Sequence, residues 1–183
     1  TTSGVATIIN TLKELENKLT NVEVFSVKAD VTIETDCKNL IDSAVNKFGK
    51  IDVLINNAGI SMRAATINVD MNVLRKVMDV NFWGTVYCTK FALPYLLASK
   101  GSLVGVMSVG GYVGLPARSG YSASKFAMRG FLDSVRIEHR RSGLHVLVAA
   151  PGFTTSEIRK SALTANGTQQ GETPRDENKM MSA

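Results

Sequence analysis

The chain has 183 residues, the length of one domain, and 44% of them are hydrophobic, enough for a packed core. Its formal charge is +5, and no basic run is interleaved with aromatics, which argues against nucleic acid as a partner. No apolar run approaches the ~18 residues of a membrane span, and no signal-peptide pattern opens the sequence, so a cytoplasmic location is expected.

Ile8, Leu12, Leu15 and Leu19 recur at helical spacing among charged residues and predict an amphipathic helix. Val22, Val24, Phe25 and Val27 predict a short strand that ends at Asp30. Thr32 is placed to cap the next helix, with Glu34 in its first turn. Ile33, Cys37, Leu40, Ile41, Val45 and Phe48 line one face of that helix, and Gly49 stops it. Residues 51–55 are almost continuously apolar, as in a strand covered on both faces. Residues 70–97 read as a long helix that Pro94 bends or ends.

Residues 102–107 form the next strand and 110–118 a Gly-rich loop. A helix follows over 121–140, closed by Arg136, His139, Arg140 and Arg141, cations that complement its dipole. Residues 144–150 are again strand-like, and from Ser156 the chain turns polar and predicts a mobile loop. Cys37 and Cys88 lack metal-site spacing and are expected as buried free thiols, and no metal is expected. Strand and helix alternate. This predicts an α/β fold with a doubly wound parallel sheet, one domain over 1–183 with 153–183 as substrate loop or lid. Ligands then bind beyond the strand carboxyl ends, where Asp30, Asn57, Ser108 and Pro151 fall.

Tyr121-Ser122-Ala123-Ser124-Lys125 places a phenol and an ammonium one helical turn apart on one face. A phenol is a poor acid or base at neutral pH, and a neighbouring cation makes it a better one. Ser108 lies thirteen residues before Tyr121, at a strand end that could aim its hydroxyl at the same point. A hydroxyl donor beside a tunable phenol suits proton transfer at a carbonyl or alcohol oxygen. The Tyr-x-x-x-Lys spacing alone recurs in many helices. Its company is more specific: Asn56-Asn57-Ala58-Gly59 after a strand, Asn81 in Asp79-Val80-Asn81-Phe82-Trp83-Gly84, and Pro151-Gly152 after the last strand.

In this order and spacing the set resembles the short-chain dehydrogenase/reductase family, over roughly residues 22–156. The resemblance implies a Rossmann-like fold and an NAD- or NADP-dependent oxidoreductase interconverting a carbonyl and a secondary alcohol. It implies Tyr121 as the acid for reduction and the base for oxidation, with Lys125 lowering its pKa and holding the nicotinamide ribose. Ser108 would hydrogen-bond the reacting oxygen, and Asn81 would interrupt the long helix and help to hold a water in a proton relay to Lys125. Asp30 and Val31 would meet adenine, or else Asp30 is a plain helix-entry residue. Asn57, Ala58 and Gly59 would pack on the adenosine ribose, unless Asn57 chiefly ties strands together. Pro151, Gly152 and Thr154 would meet the nicotinamide.

Val109 to Val113 with Ile60, Ser61 and Met62 are expected to line the pocket, and their apolar, partly small character suits a lipophilic substrate. Arg118 reads either as a contact for an acidic substrate group or as a surface arginine. The two long helices carry apolar residues all round, among them Phe82, Trp83, Phe91 and Phe126. By resemblance they pair across a two-fold axis in a homodimer or homotetramer.

The family opens on a strand followed by Thr-Gly-x-x-x-Gly-x-Gly, and this sequence has no such loop. By resemblance it starts near the helix after the family's second strand and stops before the last. A piece of a longer protein, inactive by itself, is expected, with no partner for the strand over 22–27. Two other readings stay open: an epimerase or dehydratase on a related dinucleotide fold, and a non-catalytic binding or scaffolding protein.

Overall fold

The computed structural model describes residues 23–152, 154 and 156–171. The helix expected over 8–19, Val22, Phe153 and residues 172–183 lie outside the described residues. Three parallel strands pair in the order β1 (Val53–Asn56), β2 (Ser102–Val106), β3 (His145–Ala149). Leu54 faces Leu103, and Leu103 faces Val146. Parallel strands need long crossovers, and helices supply them. Helix α1 (Glu34–Phe48) precedes β1; α2 (Met71–Met78) and α3 (Gly84–Ser99), joined by a π-helical turn, Asp79–Trp83, link β1 to β2, and α4 (Ser119–Glu138) links β2 to β3.

The core lies between one sheet face and α3 and α4, with Ile41 of α1 at its margin. Leu103 and Val146 meet Ala92, Leu96, Met128, Leu132 and Val135 there. Each such aliphatic side chain contributes about 1.5–3 kcal/mol when fully buried. Gly105 of β2 lets α4 sit close: a Cβ there would overlap Leu132 Cδ1 and stand 3.0 Å from Met128 Cε. The opposite sheet face differs from expectation. Val53, Ile55 and Leu147 are 53%, 59% and 46% exposed, so among the described residues the sheet is covered on one face only.

Residues 23–30 carry no strand, because no neighbouring strand among the described residues offers them a ladder. They are tethered to α1 instead, by an ion pair of Glu23 with Lys47 and by Phe25 set edge-on to Phe48 at 6.3 Å. Thr32 does not cap α1. The N-cap is Ile33, without a side-chain bond, and the Thr32 hydroxyl and N–H both donate to Asp30 Oδ1, at 2.8 and 2.9 Å.

Asp70 caps α2 by accepting from the Asn72 N–H. Pro94 does not end α3, which continues to Ser99. Both Pro94 and Lys90, whose carbonyl loses its usual donor, lie on the exposed side. Within the π-helical turn the Thr85 hydroxyl donates to the Asn81 carbonyl, 2.9 Å. Gly84 follows because α3 passes close to Val31, whose Cβ would stand 3.0 Å from any Cβ at residue 84.

Beyond β3, the part of the expected loop that is described is tied down. Leu163 N–H donates to Ser61 O, Arg63 N–H to Leu163 O, and Asp70 N–H to Ala165 O. Leu163 and Ala162 are buried. Composition alone marked this stretch as loop. The apolar anchors that dock it are few, but Leu163 meets Met62 and Val73 in a second cluster.

Candidate active site

Three parallel strands deliver the residues that follow them to one edge of the sheet, and a cavity of about 530 Å³ opens there. Its volume is that of a small-molecule site. Asn57 and Gly59 after β1, Ser108 after β2, and Pro151, Gly152 and Thr154 after β3 all line it. Tyr121 and Lys125 of α4 complete the wall.

Tyr121 sits in the first turn of α4, 7% exposed, its ring packed in the cluster of Met62, Val73, Val77 and Leu163. Ser108 is held extended and accepts from the Gly110 N–H, 3.2 Å, opening the short turn Val109–Gly111. That turn lies directly on the phenol: a Cβ at Gly110 would stand 3.1 Å from Tyr121 Cε1. Ser108 and Tyr121 are thus brought to one cavity, as their spacing implied.

Lys125 is 4% exposed and donates from Nζ to the Val106 carbonyl at the end of β2, 2.8 Å. Burial pushes its pKa down from 10.5 to about 8. The ammonium lies beside the β1 loop, since a Cβ at Gly59 would be 3.6 Å from Lys125 Nζ and 3.4 Å from Asn81 Oδ1. The absence of a side chain at Gly59 therefore keeps this corner open between the loop, the π-helical turn and α4.

Asn81 is wholly buried, and its side chain is fully engaged. Oδ1 accepts from the Ile60 N–H, 2.8 Å, and Nδ2 donates to Ile60 O, 3.0 Å, and to Ser124 Oγ, 2.9 Å. Its side chain is a brace between elements.

Other expected residues fall elsewhere. Asp30 and Val31 are not on the cavity wall, and the Asp30 carboxylate closes a local turn. The Thr32 N–H, then its hydroxyl, hold the Asp30 pKa below the usual carboxylate value. Ala58 is exposed beside the cavity. Val109, Tyr112 and Val113 are 37%, 45% and 51% exposed rather than pocket-lining, and Met62 is core. Of that group only Ser61 reaches the cavity. It accepts from Arg118 Nη1, 2.6 Å, and the Arg118 guanidinium lies 6.0 Å from the Tyr121 ring centroid. Leu115, Ile158 and Arg159 also line the cavity; the last two belong to the segment expected as a substrate loop, but sequence reasoning singled out none of the three.

Cys37 and Cys88 are buried free thiols, as expected. Among the described residues no cluster could hold a metal ion, and no helix is long and apolar enough to cross a membrane.

Residues 2–167 match the family described as short chain dehydrogenase. The chain belongs to that family. It is 37% identical over 146 residues to 11-beta-hydroxysteroid dehydrogenase 1A of Arabidopsis thaliana, covering 79% of this chain and 42% of that protein. It is 42% identical over 125 residues to dehydrogenase/reductase SDR family member 7B of Rattus norvegicus, covering 68% of this chain and 38% of that one. The chain thus spans about two fifths of the length of these curated relatives.

Among solved structures, a short chain dehydrogenase/reductase from Burkholderia phymatum in complex with NAD superposes with a TM-score of 0.78 at 25% identity, over 82% of this chain and 54% of that one. A gluconate 5-dehydrogenase from Burkholderia cenocepacia in complex with NADP and tartrate does so with a TM-score of 0.68 at 26% identity, over 72% and 52%. The fold is that of the family, a Rossmann-like α/β fold with a parallel sheet.

Proposed function

We propose that this protein is an NAD- or NADP-dependent oxidoreductase that interconverts a carbonyl and a secondary alcohol. One observation carries the reading: Ser108, Tyr121 and Lys125 line a single cavity with Gly59 and the strand-end residues Pro151, Gly152 and Thr154. The donor set fits a dinucleotide's nicotinamide end, with a glycine that leaves room for backbone approach and an ammonium beside it for ribose hydroxyls. The relatives named as dehydrogenases, and the neighbours solved with NAD or NADP, support the same cofactor class.

When bound, the nicotinamide supplies or accepts the hydride. The Tyr121 hydroxyl gives its proton to the carbonyl oxygen in reduction and takes it from the alcohol in oxidation. The Ser108 hydroxyl donates to that same oxygen and steadies the charge that builds on it. Lys125 places positive charge where the phenolate forms and offers donors to the ribose. Asn81 keeps the Ile60 loop and α4 in place and would help to hold a water in a proton relay to Lys125. Asp30 and Val31 serve the adenine, away from the cavity.

The substrate is a small molecule. We take it to be lipophilic, on the strength of Leu115 and Ile158 in the wall and of relatives named for steroids. The described part of the segment beyond β3 forms the substrate-side wall. Trp83 and Phe126, 44% and 45% exposed, mark the helix faces that would pair two copies.

The test is Tyr121→Phe in the full-length protein. Turnover should fall by about three orders of magnitude or more, while binding of NADH or NADPH, read by nicotinamide fluorescence, stays near wild type. A Phe variant that turns over at wild-type rate would rule out the assigned acid/base.

A further inference from the structure

Ser124 stands between the two residues of the catalytic pair in sequence, is wholly buried, and is not on the cavity wall. Its hydroxyl donates to the Tyr121 carbonyl, 2.8 Å, and accepts from Asn81 Nδ2, 2.9 Å. A serine hydroxyl has one proton. With that proton committed to Tyr121, its oxygen can only accept from Asn81. The Asn81 amide has no freedom either, because the Ile60 N–H requires Oδ1 and the Ile60 carbonyl requires Nδ2. The bonds run in one sense through three elements: the loop after β1, the π-helical turn and the first turns of α4. Asn81 and Ser124 have no exposure to water that could replace a lost partner.

We propose that Ser124 is a positioning residue that sets the Tyr121–Lys125 turn of α4 against the glycine loop after β1. The inference rests on the roles given above to Tyr121 and Lys125. The distances make the coupling direct. Asn81 Oδ1 and Lys125 Nζ both lie next to Gly59, within 3.4 and 3.6 Å of where its Cβ would be. Among the hydrogen bonds described here, Ser124 Oγ is what joins the Asn81 side chain to α4. Without that oxygen, an Asn81 N–H is left buried without an acceptor, and an orphaned donor in a dry site drives local opening. Loop and helix then separate at the corner where the ammonium must meet the cofactor.

The test uses the full-length protein with Ser124→Ala, Ser124→Thr, and Ser134→Ala as an exposed control on α4. The first readout is amide exchange of Ile60 by NMR in cofactor-free protein. The second is the dissociation constant for NADH or NADPH, whichever the wild type binds more tightly. Ser124→Ala should speed Ile60 exchange and weaken dinucleotide binding by about tenfold each, the size of effect an unsatisfied buried donor produces. Ser124→Thr, which keeps the oxygen but adds a methyl to a wholly buried site, should lie closer to wild type than Ser124→Ala in both, and Ser134→Ala should stay near wild type.

Unchanged Ile60 exchange in Ser124→Ala overturns the proposal. So does acceleration spread evenly over the whole fold with unchanged dinucleotide affinity, the mark of a merely structural serine. Should Ser124→Ala fail to fold, Ser124→Cys, with a weaker donor and acceptor, carries the same expectations at smaller amplitude and the same refutations. A wild-type protein that binds neither dinucleotide would refute the functional reading instead, and Ile60 exchange would still judge Ser124.

Discussion

Replacing Lys125 with methionine should expose a conflict between stability and function. The lysine is 4% exposed, and burial pushes its pKa from 10.5 down to about 8. That displacement corresponds to roughly 3 kcal/mol of preference against the charged form in the folded state. Below pH 8 folded and unfolded chains both carry the ammonium, so the folded state bears the full penalty. Between pH 8 and 10.5 the unfolded chain holds the proton that the folded chain has released, and stability rises with pH. Above 10.5 both forms are neutral and the penalty is gone.

Methionine fills the stem's volume and carries no charge. It gives up the 2.8 Å bond to Val106 O, a loss of about 1–3 kcal/mol. The net difference at pH 7 is therefore small or favours the variant, while its dependence on pH is large. Relative to wild type, Lys125→Met should lose about 3 kcal/mol of advantage between pH 7 and pH 10.5. Urea unfolding of the cofactor-free, full-length proteins at pH 7, 9 and 10.5 reads this directly, since other titrating groups cancel in the difference. A difference that does not change with pH would refute the reasoning. The same variant should bind NADH or NADPH more weakly, although it is no less stable at neutral pH than the loss of one bond allows.

Gly105→Ala should lower the free energy of unfolding by about 1–3 kcal/mol, read as a lower urea midpoint, because the new methyl enters the space of Leu132 and Met128. Iodoacetamide should label Cys37 and Cys88 slowly in the native protein and at once in denaturant. Both are buried, and burial pushes the Cys37 thiol up to about 12. Rapid native labelling would contradict that burial. Light scattering of the full-length protein should report a dimer or tetramer, and Trp83→Lys should shift it toward monomer if the exposed ring lies in the interface. A wild-type monomer at micromolar concentration would remove the pairing proposal.

The near wall of the cavity was readable because its determinants are local. A residue just after an apolar strand falls at the strand's carboxyl end, and residues four apart on a helix share a face, so Asn57, Ser108, Tyr121 and Lys125 could be placed together before any coordinates. The other side was readable only as a segment, 153–183, and not residue by residue. Leu115 reaches the cavity from the loop before α4, where its N–H donates to Ser122 Oγ, and Ile158 and Arg159 belong to the segment beyond β3, which docks through Leu163 on Met62, about a hundred residues away in the sequence. Thr32 misled for a related reason. A serine or threonine before a helix can cap it or bond its own neighbours, and here the Asp30 carboxylate won. The exposed face of β1 shows the limit of hydropathy. Its run of apolar residues records what a strand can tolerate on both sides, and the described residues cover one.

The widened turn at Asp79–Trp83 has a consequence for insertions and deletions in this chain. A π-helical turn holds one residue more than an ordinary turn, so it takes up an extra position that would otherwise rotate everything after it by about 100°. Cys88, Ala92 and Leu96 therefore stay turned inward while Asn81 keeps its line to Ser124. Loss of one position from the turn would be absorbed by reversion to ordinary helix, whereas a loss within α3 has no such reserve and would swing its apolar face out of register with the sheet. The irregularity is what keeps two helical segments in phase with two different partners.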